Sequence, residues 1–441
     1  MGCDSLKHAG KLLLPHDITP EDLSHYTPVP SIIKRRFGYQ CKRCGNSQSH
    51  LFGHMPHDAC QKTCRYCRNC IQMGRVMECE PLYQGSTSFK WPSFEQPLQW
   101  KGELTPWQQT GADAIKDVVI SGGEVLIWAV CGAGKTEMLF PGIEAALQHG
   151  KRICLATPRA DVVRELLPRL RSAFPDVPIQ GLYGGSPDRE ADASFIIATT
   201  HQLLRFSKAF DVMIIDEIDA FPFHHDDSLK FAAQRAKKDN ASSIYLTATP
   251  RKWEKWRVRT KKLPAVFIPK RFHGHPLPEP KLQLIPSLPR NLKRKQLPAS
   301  VLSKILDQQN SERQLMVFLP SVAMTEWVLE LLREEGLAGQ CVFAEDSDRV
   351  DKVQAFRDKK FRLMLTTTIL ERGVTFPSVD VFVIDAGHVV FDEAALVQIA
   401  GRAGRSPDDP DGDVRFFHGG KTNAMLDAVE AISRMNKLGK R

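Results

Sequence analysis

Two carboxylates stand side by side where an apolar run stops. Val212-Met213-Ile214-Ile215 leads straight into Asp216 and Glu217, with a third acid at Asp219. Neighbouring carboxylates repel one another, so a cluster of them calls for a cation. Mg²⁺ carried on a nucleotide fits, because a phosphate cradle stands upstream. "VLIWAVCGAGKTEML" passes from an apolar strand, Val125–Val130, through the loop Gly132-Ala133-Gly134-Lys135-Thr136 into a helical pattern. Glycines in such a loop let several backbone N–H groups face one anion, and the helix N-terminus adds its dipole. Lys135 then reaches the β and γ phosphates, and the Thr136 hydroxyl ligates Mg²⁺. The strict pattern G-x-x-x-x-G-K-[ST] is broken at its first position, which is Ala129. Asp216 holds Mg²⁺ through water and Glu217 polarises the attacking water, the arrangement of an ATP hydrolase. Asp219 is read as a cap or an ion-pair partner.

A second chemistry lies in the cysteines. Seven of the eleven fall between Cys41 and Cys79. Clustered cysteines in a reducing compartment point to metal rather than disulfides. Cys41-Lys-Arg-Cys44 is one C-x₂-C knuckle. The second is Cys67-Arg-Asn-Cys70 or Cys64-Arg-Tyr-Cys67, since both have the spacing. Four thiolates from two such knuckles suit a closed, structural Zn²⁺, which supplies folding energy to a segment too short to bury a core. Cys60, Cys64, His50, His54, His57 and Cys79 are left as alternates or a second, partial site. Free thiols and loop histidines are the preferred reading of them, because no second set is spaced as cleanly. Lys42, Arg43, Arg65, Tyr66, Arg68 and Arg75 surround the knuckles. Basic residues with an aromatic among them can follow a phosphate backbone and stack a base, and a protein-docking surface is the competing reading.

The elements that must position these groups follow from pattern. A chain of 441 residues is expected to form two or three domains. A net charge of +9 suits a polyanionic partner. No run approaches the roughly 18 apolar residues of a membrane span. The apolar core of "MGCDSLKHAGKLLLPHD" is too short for a signal peptide, and Leu6 departs from the myristoylation pattern. A cytoplasmic protein is expected, with membrane association only through partners. "PLYQGSTSFKWPSFEQP", after the cysteines, reads as a linker. From about Leu98, apolar strands alternate with helical stretches: Val125–Val130, Arg152–Ala156, Phe195–Ala198, Val212–Ile215 and Ser243–Leu246. A Pro-rich, basic segment from Leu263 to Pro298 interrupts them. The pattern resumes with Leu315–Leu319, Gln340–Phe343, Arg362–Thr366, Val379–Ile384 and Val414–Phe417. This alternation predicts parallel sheets built from βαβ units, in two α/β lobes. Trp253 and Trp256, within "PRKWEKWRVRTKK", are read as packing inward, with stacking on a single strand the competing reading, and the charges around them are either solvated or drawn to DNA. His224 and His225 are assigned no ligand role.

The ordered stretches "LTPWQQ" (104–109), "GAGKT", "ATPR" (156–159), "DEID", "TATP" (247–250), "TTTILERGVTFP" (366–377) and "QIAGRAGR" (398–405) resemble the motifs of superfamily 2 helicases of the DEAD/DEAH-like group, over about residues 98–441. The narrower resemblance is to the ComFA family, late-competence DNA-uptake ATPases of naturally transformable Gram-positive bacteria. It rests on a four-cysteine module ahead of the helicase core, on "RYCRNCIQMGRV" and on "WAVCGAGKTE". The resemblance implies an α/β fold of two RecA-like lobes, at 98–265 and 275–441, after an N-terminal region (1–90) with a zinc module (41–79). It implies that Gln108 recognises adenine and that Thr247 and Thr249 couple hydrolysis to DNA grip. Gln398, Arg402 and Arg405 would complete the ATP site, and Ala129 would be a family trait. It favours Cys67 with Cys70 as the second knuckle. The implied cofactors are ATP, Mg²⁺ and Zn²⁺. The implied partners are single-stranded DNA, a phosphoribosyltransferase-like competence protein and a membrane DNA channel. A primosomal-type replication-restart helicase and a zinc-dependent scaffold with weak ATPase are the competing readings. Basal hydrolysis is expected to survive loss of zinc, the ATP site being a separate fold.

Overall fold

A computed structural model describes residues 7–188, 193–371 and 376–440. They form two compact units. The first comprises the chain up to Ile127 with Thr136–Thr247 and Arg251–Val266; the second comprises Trp128–Lys135, Ala248–Pro250 and the chain from Phe267.

The N-terminal region is made of short strands: β1 (Leu12–Leu13), β2 (Tyr26–Val29), β3 (Ile32–Arg35), β4 (Gly38–Cys41), β5 (Phe52–His57), β6 (Lys62–Cys67), β7 (Val76–Met77) and β8 (Leu82–Gly85). They pair as a sheet β1-β8-β2, a hairpin β3-β4 and a sheet β5-β6-β7. The segment read as a linker therefore supplies β8, the middle strand of its sheet. Its Trp91 is buried beneath the guanidinium of Arg152, 4.4 Å from the ring centroid. A guanidinium over an indole face is attracted by the ring quadrupole, and the tryptophan is fixed rather than flexible.

The strands that follow are β9 (Glu124–Ala129), β10 (Ile153–Thr157), β11 (Ile179–Leu182), β12 (Phe195–Thr199), β13 (Phe210–Ile215), β14 (Lys237–Thr247) and β15 (Ala265–Ile268). They form one sheet in the order β11-β12-β10-β13-β14-β9-β15. Among them run α1 (Pro106–Ser121), α2 (Lys135–Gln148), α3 (Ala160–Ala173), α4 (Asp227–Ala236) and α5 (Lys252–Arg259). β10, β12 and β13 are almost entirely buried and pair in parallel. That burial on both faces is why they read as continuous apolar runs. The second unit carries β16 (Lys281–Leu284), β17 (Gln314–Phe318), β18 (Gly339–Val342), β19 (Leu363–Thr366), β20 (Val379–Ile384) and β21 (Val414–His418), all parallel, in the order β16-β21-β20-β17-β19-β18.

The two-lobed parallel architecture is the one expected. The Pro-rich segment is less irregular than expected, since β15 and β16 lie in it, each at a sheet edge. Edge strands tolerate neighbouring prolines because one side of the ladder needs no donor. Among the described residues no helix is long and apolar enough to cross a membrane.

Candidate nucleotide site and metal centre

β9 ends at Ala129, and the chain turns through Gly132 (φ 80°), Ala133 and Gly134 (φ 70°) into α2, whose first residues are Lys135 and Thr136. Positive φ is where glycine has no steric cost, which explains the residue type at 132 and 134. Ala129 is still in the strand and fully buried. Extended backbone there suits any residue, so the missing first glycine costs this loop nothing.

The acids leave the C-terminal end of β13. The Asp216 amide donates to the Ala156 carbonyl at 2.8 Å, and the Glu217 amide donates to Asp216 Oδ1 at 2.9 Å, which orients that carboxylate. Glu217 adopts φ 53°, the left-handed region. A non-glycine residue is held there only when its surroundings over-determine it, a pattern that clusters at functional sites. Asp219 is buried; Thr247 donates its hydroxyl to Asp219 Oδ1, and Arg251 donates from Nε and Nη2 to the Asp219 carbonyl at 3.2 and 3.1 Å. The third acid thus ties "DEID" to Thr247, the first residue of "TATP", inside the first unit rather than capping a helix.

Gln108 is buried at the third position of α1. Its Oε1 accepts from the Thr105 amide at 2.9 Å, and its own amide donates to Thr105 Oγ1 at 3.3 Å. This reciprocal pair is a capping box, and it fixes the side chain at the helix start.

Within the second unit, Cys131 of the phosphate loop donates its thiol to Gln398 Oε1 at 3.0 Å. A Cβ at Gly401 would lie 2.5 Å from that of Cys131, so the first glycine of "GRAGR" is set by this contact. Arg402 is buried and donates from Nε to the Glu371 carbonyl at 3.2 Å; Arg405 donates from Nε to the Gly401 carbonyl at 2.9 Å. Thr249 is buried in the same unit. Arg372 to Thr375 of "TTTILERGVTFP" lie outside the described residues.

One cation here escaped the sequence reading. Arg271, in the Pro-rich segment, is buried, and it donates to the Gly404 carbonyl. The adjacent Phe272 amide donates to the Gly132 carbonyl at 3.0 Å. Burial, then the neighbouring Arg405 charge, lower the Arg271 pKa to about 10. No motif surrounds it in sequence; only its place beside the phosphate loop marks it.

The four sulfurs of Cys41, Cys44, Cys67 and Cys70 lie within 4.8 Å of one another, and each residue is at most 1% exposed. Cys41 and Cys70 sulfurs are 3.8 Å apart, Cys44 and Cys67 sulfurs 3.5 Å. Sulfurs held tetrahedrally at about 2.3 Å from Zn²⁺ stand about 3.8 Å apart, so the set fits the ion. Asn46 Nδ2 reaches Cys67 Sγ at 3.7 Å, a donor aimed at a ligand sulfur.

The knuckles are built into the first unit's core. The cysteines share one apolar cluster with Leu203, Leu204, Phe206, Leu229 and Ala232. Arg43, 0% exposed, donates to the Leu204 carbonyl at 3.4 Å and the Gly74 carbonyl at 3.2 Å. Arg235 donates to the carbonyls of Lys42, Leu203, Leu204 and Phe206 at 2.9–3.2 Å. Arg43 therefore does not face a DNA backbone. Arg65 is also engaged, 3.3 Å from the Tyr39 ring centroid and paired with Glu78. Lys42, Arg68 and Arg75 are exposed.

Trp253 and Trp256 are not packed inward. They are 62% and 42% exposed, their rings stack with centroids 4.8 Å apart, and α5 has no buried residue. Lys262 Nζ sits 4.6 Å from the Trp256 ring centroid.

Comparison with known proteins joins these parts. The competence protein ComFA N-terminal domain matches residues 18–84, the res subunit of type III restriction enzymes residues 101–252, and the helicase conserved C-terminal domain residues 298–407. The chain is 47% identical to competence protein ComFA of Bacillus subtilis, covering 92% of this chain and 87% of that protein. It is 37% identical to competence protein ComFA of Streptococcus pneumoniae, covering 98% of each. Among solved structures, Mycobacterium smegmatis helicase Lhr bound to ssDNA and AMP-PNP has a TM-score of 0.56 at 17% identity, covering 77% of this chain and 50% of that one. S. cerevisiae Dbp5 bound to RNA and ADP BeF3 has a TM-score of 0.54 at 15% identity, covering 75% and 91%. These two likenesses concern the fold alone. The chain belongs to the ComFA family, and it is an ATP-hydrolysing, nucleic-acid-binding motor of the superfamily 2 type.

Proposed function

We propose that this member of the ComFA family is a DNA-stimulated ATPase that draws single-stranded DNA into the cytosol during natural competence, beside a membrane DNA channel and a phosphoribosyltransferase-like partner. The observation that carries the reading is the coupled acid cluster: Asp216 oriented by the Glu217 amide, and Asp219 hydrogen-bonded to Thr247. In this reading Lys135 and the loop amides of Gly132, Ala133 and Gly134 bind the phosphates. Thr136 and Asp216 hold Mg²⁺, and Glu217 orients the attacking water. Arg402 and Arg405 set positive charge near the transferring phosphoryl group, Gln398 helps complete the ATP site, and Gln108 reads adenine. The Asp219–Thr247 bond makes the position of "TATP" depend on the acids that sense the γ-phosphate, which is how hydrolysis would reach the DNA grip. The exposed Trp253 and Trp256 pair, with basic residues around it, offers a face on which a base can stack.

The test is ATP turnover with and without single-stranded DNA at rising salt. Turnover rises with DNA, and the rise weakens with salt because phosphate contacts release counterions. Glu217→Gln binds ATP and Mg²⁺ yet hydrolyses at least about 100-fold more slowly. Trp253→Ala weakens single-stranded DNA binding by about 1–3 kcal/mol without changing basal turnover. Turnover indifferent to DNA at every salt concentration would overturn the reading.

A further inference from the structure

The cysteine module holds four donors that the buried four-cysteine cluster does not use, and the strands bring them together. In β5 and β6, Met55 pairs with Cys64 and His57 with Lys62, while Phe52 pairs with Cys67. Side chains alternate across a strand, so Cys64 and Cys67, three apart in β6, point to opposite faces. "CRYC" is therefore not one knuckle. Cys67 goes to the buried cluster, and Cys64 shares the other face with Met55 and His57. β7 continues the ladder on β6, with Met77 opposite Tyr66 and the Glu78 amide donating to the Arg65 carbonyl at 2.8 Å. The same register sets Cys79 opposite Cys64. The turn between β5 and β6, with Gln61 at φ 50°, delivers Cys60 to this face.

Three of the donor atoms converge, and the fourth, Cys64 Sγ, lies against one of them. His57 Nδ1 is 3.4 Å from Cys60 Sγ and 3.4 Å from Cys79 Sγ, and Cys60 Sγ is 3.2 Å from Cys64 Sγ. The ligand atoms of His57, Cys60 and Cys79 all lie within 4.8 Å of one another. The other ring nitrogen, His57 Nε2, is 3.1 Å from Glu80 Oε1. A carboxylate behind the imidazole is the usual support of a metal-ligating histidine, because it fixes the tautomer and aims the free nitrogen. Three sulfurs and one imidazole form a zinc set; Mg²⁺ and Ca²⁺ take oxygen ligands instead. The Cys60–Cys64 separation is well beyond the roughly 2.05 Å of a disulfide.

We propose that His57, Cys60, Cys64 and Cys79 bind a second, structural zinc ion, with Glu80 as the positioning carboxylate. The module then carries two metals, one on each face of β6. The second sits at the solvent-facing end, where Cys79 is exposed and Cys60 half-buried.

The test uses the full-length protein purified without chelator. Zinc per chain is measured by mass spectrometry, and Cys79 alkylation by N-ethylmaleimide is followed in the native protein. The expected result is two zinc ions per wild-type chain, with Cys79 protected until a chelator is added. His57→Ala and Cys79→Ser each retain one ion and keep wild-type basal ATPase. Glu80→Gln retains two but yields the second to a chelator about 10-fold faster or more. One zinc per wild-type chain, prompt alkylation of Cys79 in the zinc-loaded protein, a Cys60–Cys64 disulfide, or two ions still held by His57→Ala would each overturn the proposal. The wild-type stoichiometry and the protection of Cys79 decide the matter even if a variant fails to fold.

Discussion

The two ends of the cysteine module use the same kind of donor in opposite surroundings. At one end Cys41, Cys44, Cys67 and Cys70 are sealed from water and share a core with the first lobe. At the other, Cys60 and Cys79 meet solvent, and their partners all come from β5–β7 and the residues that flank them. A metal in the buried cluster supports two structures at once, the knuckles and the lobe beneath them. A metal at the exposed end supports only a hairpin. The chain segment is short in both places, so burial rather than ligand chemistry decides how far the loss of an ion is felt. The expectation that basal hydrolysis is indifferent to zinc treated the module as a tethered appendage. Arg43, donating to the Leu204 carbonyl, and Arg235, donating to the Lys42 carbonyl, cross the seam and make the module part of the first unit.

The largest effect tests that seam directly. Cys44→Ser or Cys70→Ser removes a ligand from a closed site whose metal is worth on the order of 10 kcal/mol of folding free energy. Zinc is lost, the melting temperature of the first lobe drops by ten degrees or more, and basal ATPase falls with it. Calorimetry and turnover on the same sample check this; unchanged melting would separate the two structures after all. Arg43→Ala comes next. It leaves zinc bound but strips the Leu204 and Gly74 carbonyls of a donor and opens a cavity, costing about 2–4 kcal/mol in denaturant unfolding. The smallest effect belongs to the exposed end. Cys79→Ser releases the proposed second ion and loosens the exposed end of the hairpin, while the unfolding free energy of the lobe changes by less than in either variant above. A larger loss there would mean that the exposed end also communicates with the core.

Which parts were legible in sequence follows from burial as well. β10, β12, β13, β17 and β20 are buried along nearly their whole length, so their residues are mostly apolar, with Asp211 of β13 and Asp380 of β20 as acids inside the runs. β11, β15 and β16 were missed; each is four residues long at a sheet edge, and two of them lie among prolines. The phosphate loop and the acids were visible because residue type and spacing carry their chemistry. Asp219 was not understood, since its partner Thr247 is 28 residues away. Arg43 next to a cysteine looks the same in sequence whether it faces DNA or a buried carbonyl. The tryptophans three apart satisfy an inward face and an exposed stack equally well, and only the surroundings of α5 decide.

β6 also has a consequence for how this chain can vary. Its residues alternate sides, and Cys64 and Cys67 serve opposite sides. The stretch between them behaves like a reading frame. One residue added or removed there would swing one of the two sulfurs through half a turn. Insertions elsewhere in the module can be absorbed by turns. Between these two cysteines the count itself is what must be inherited.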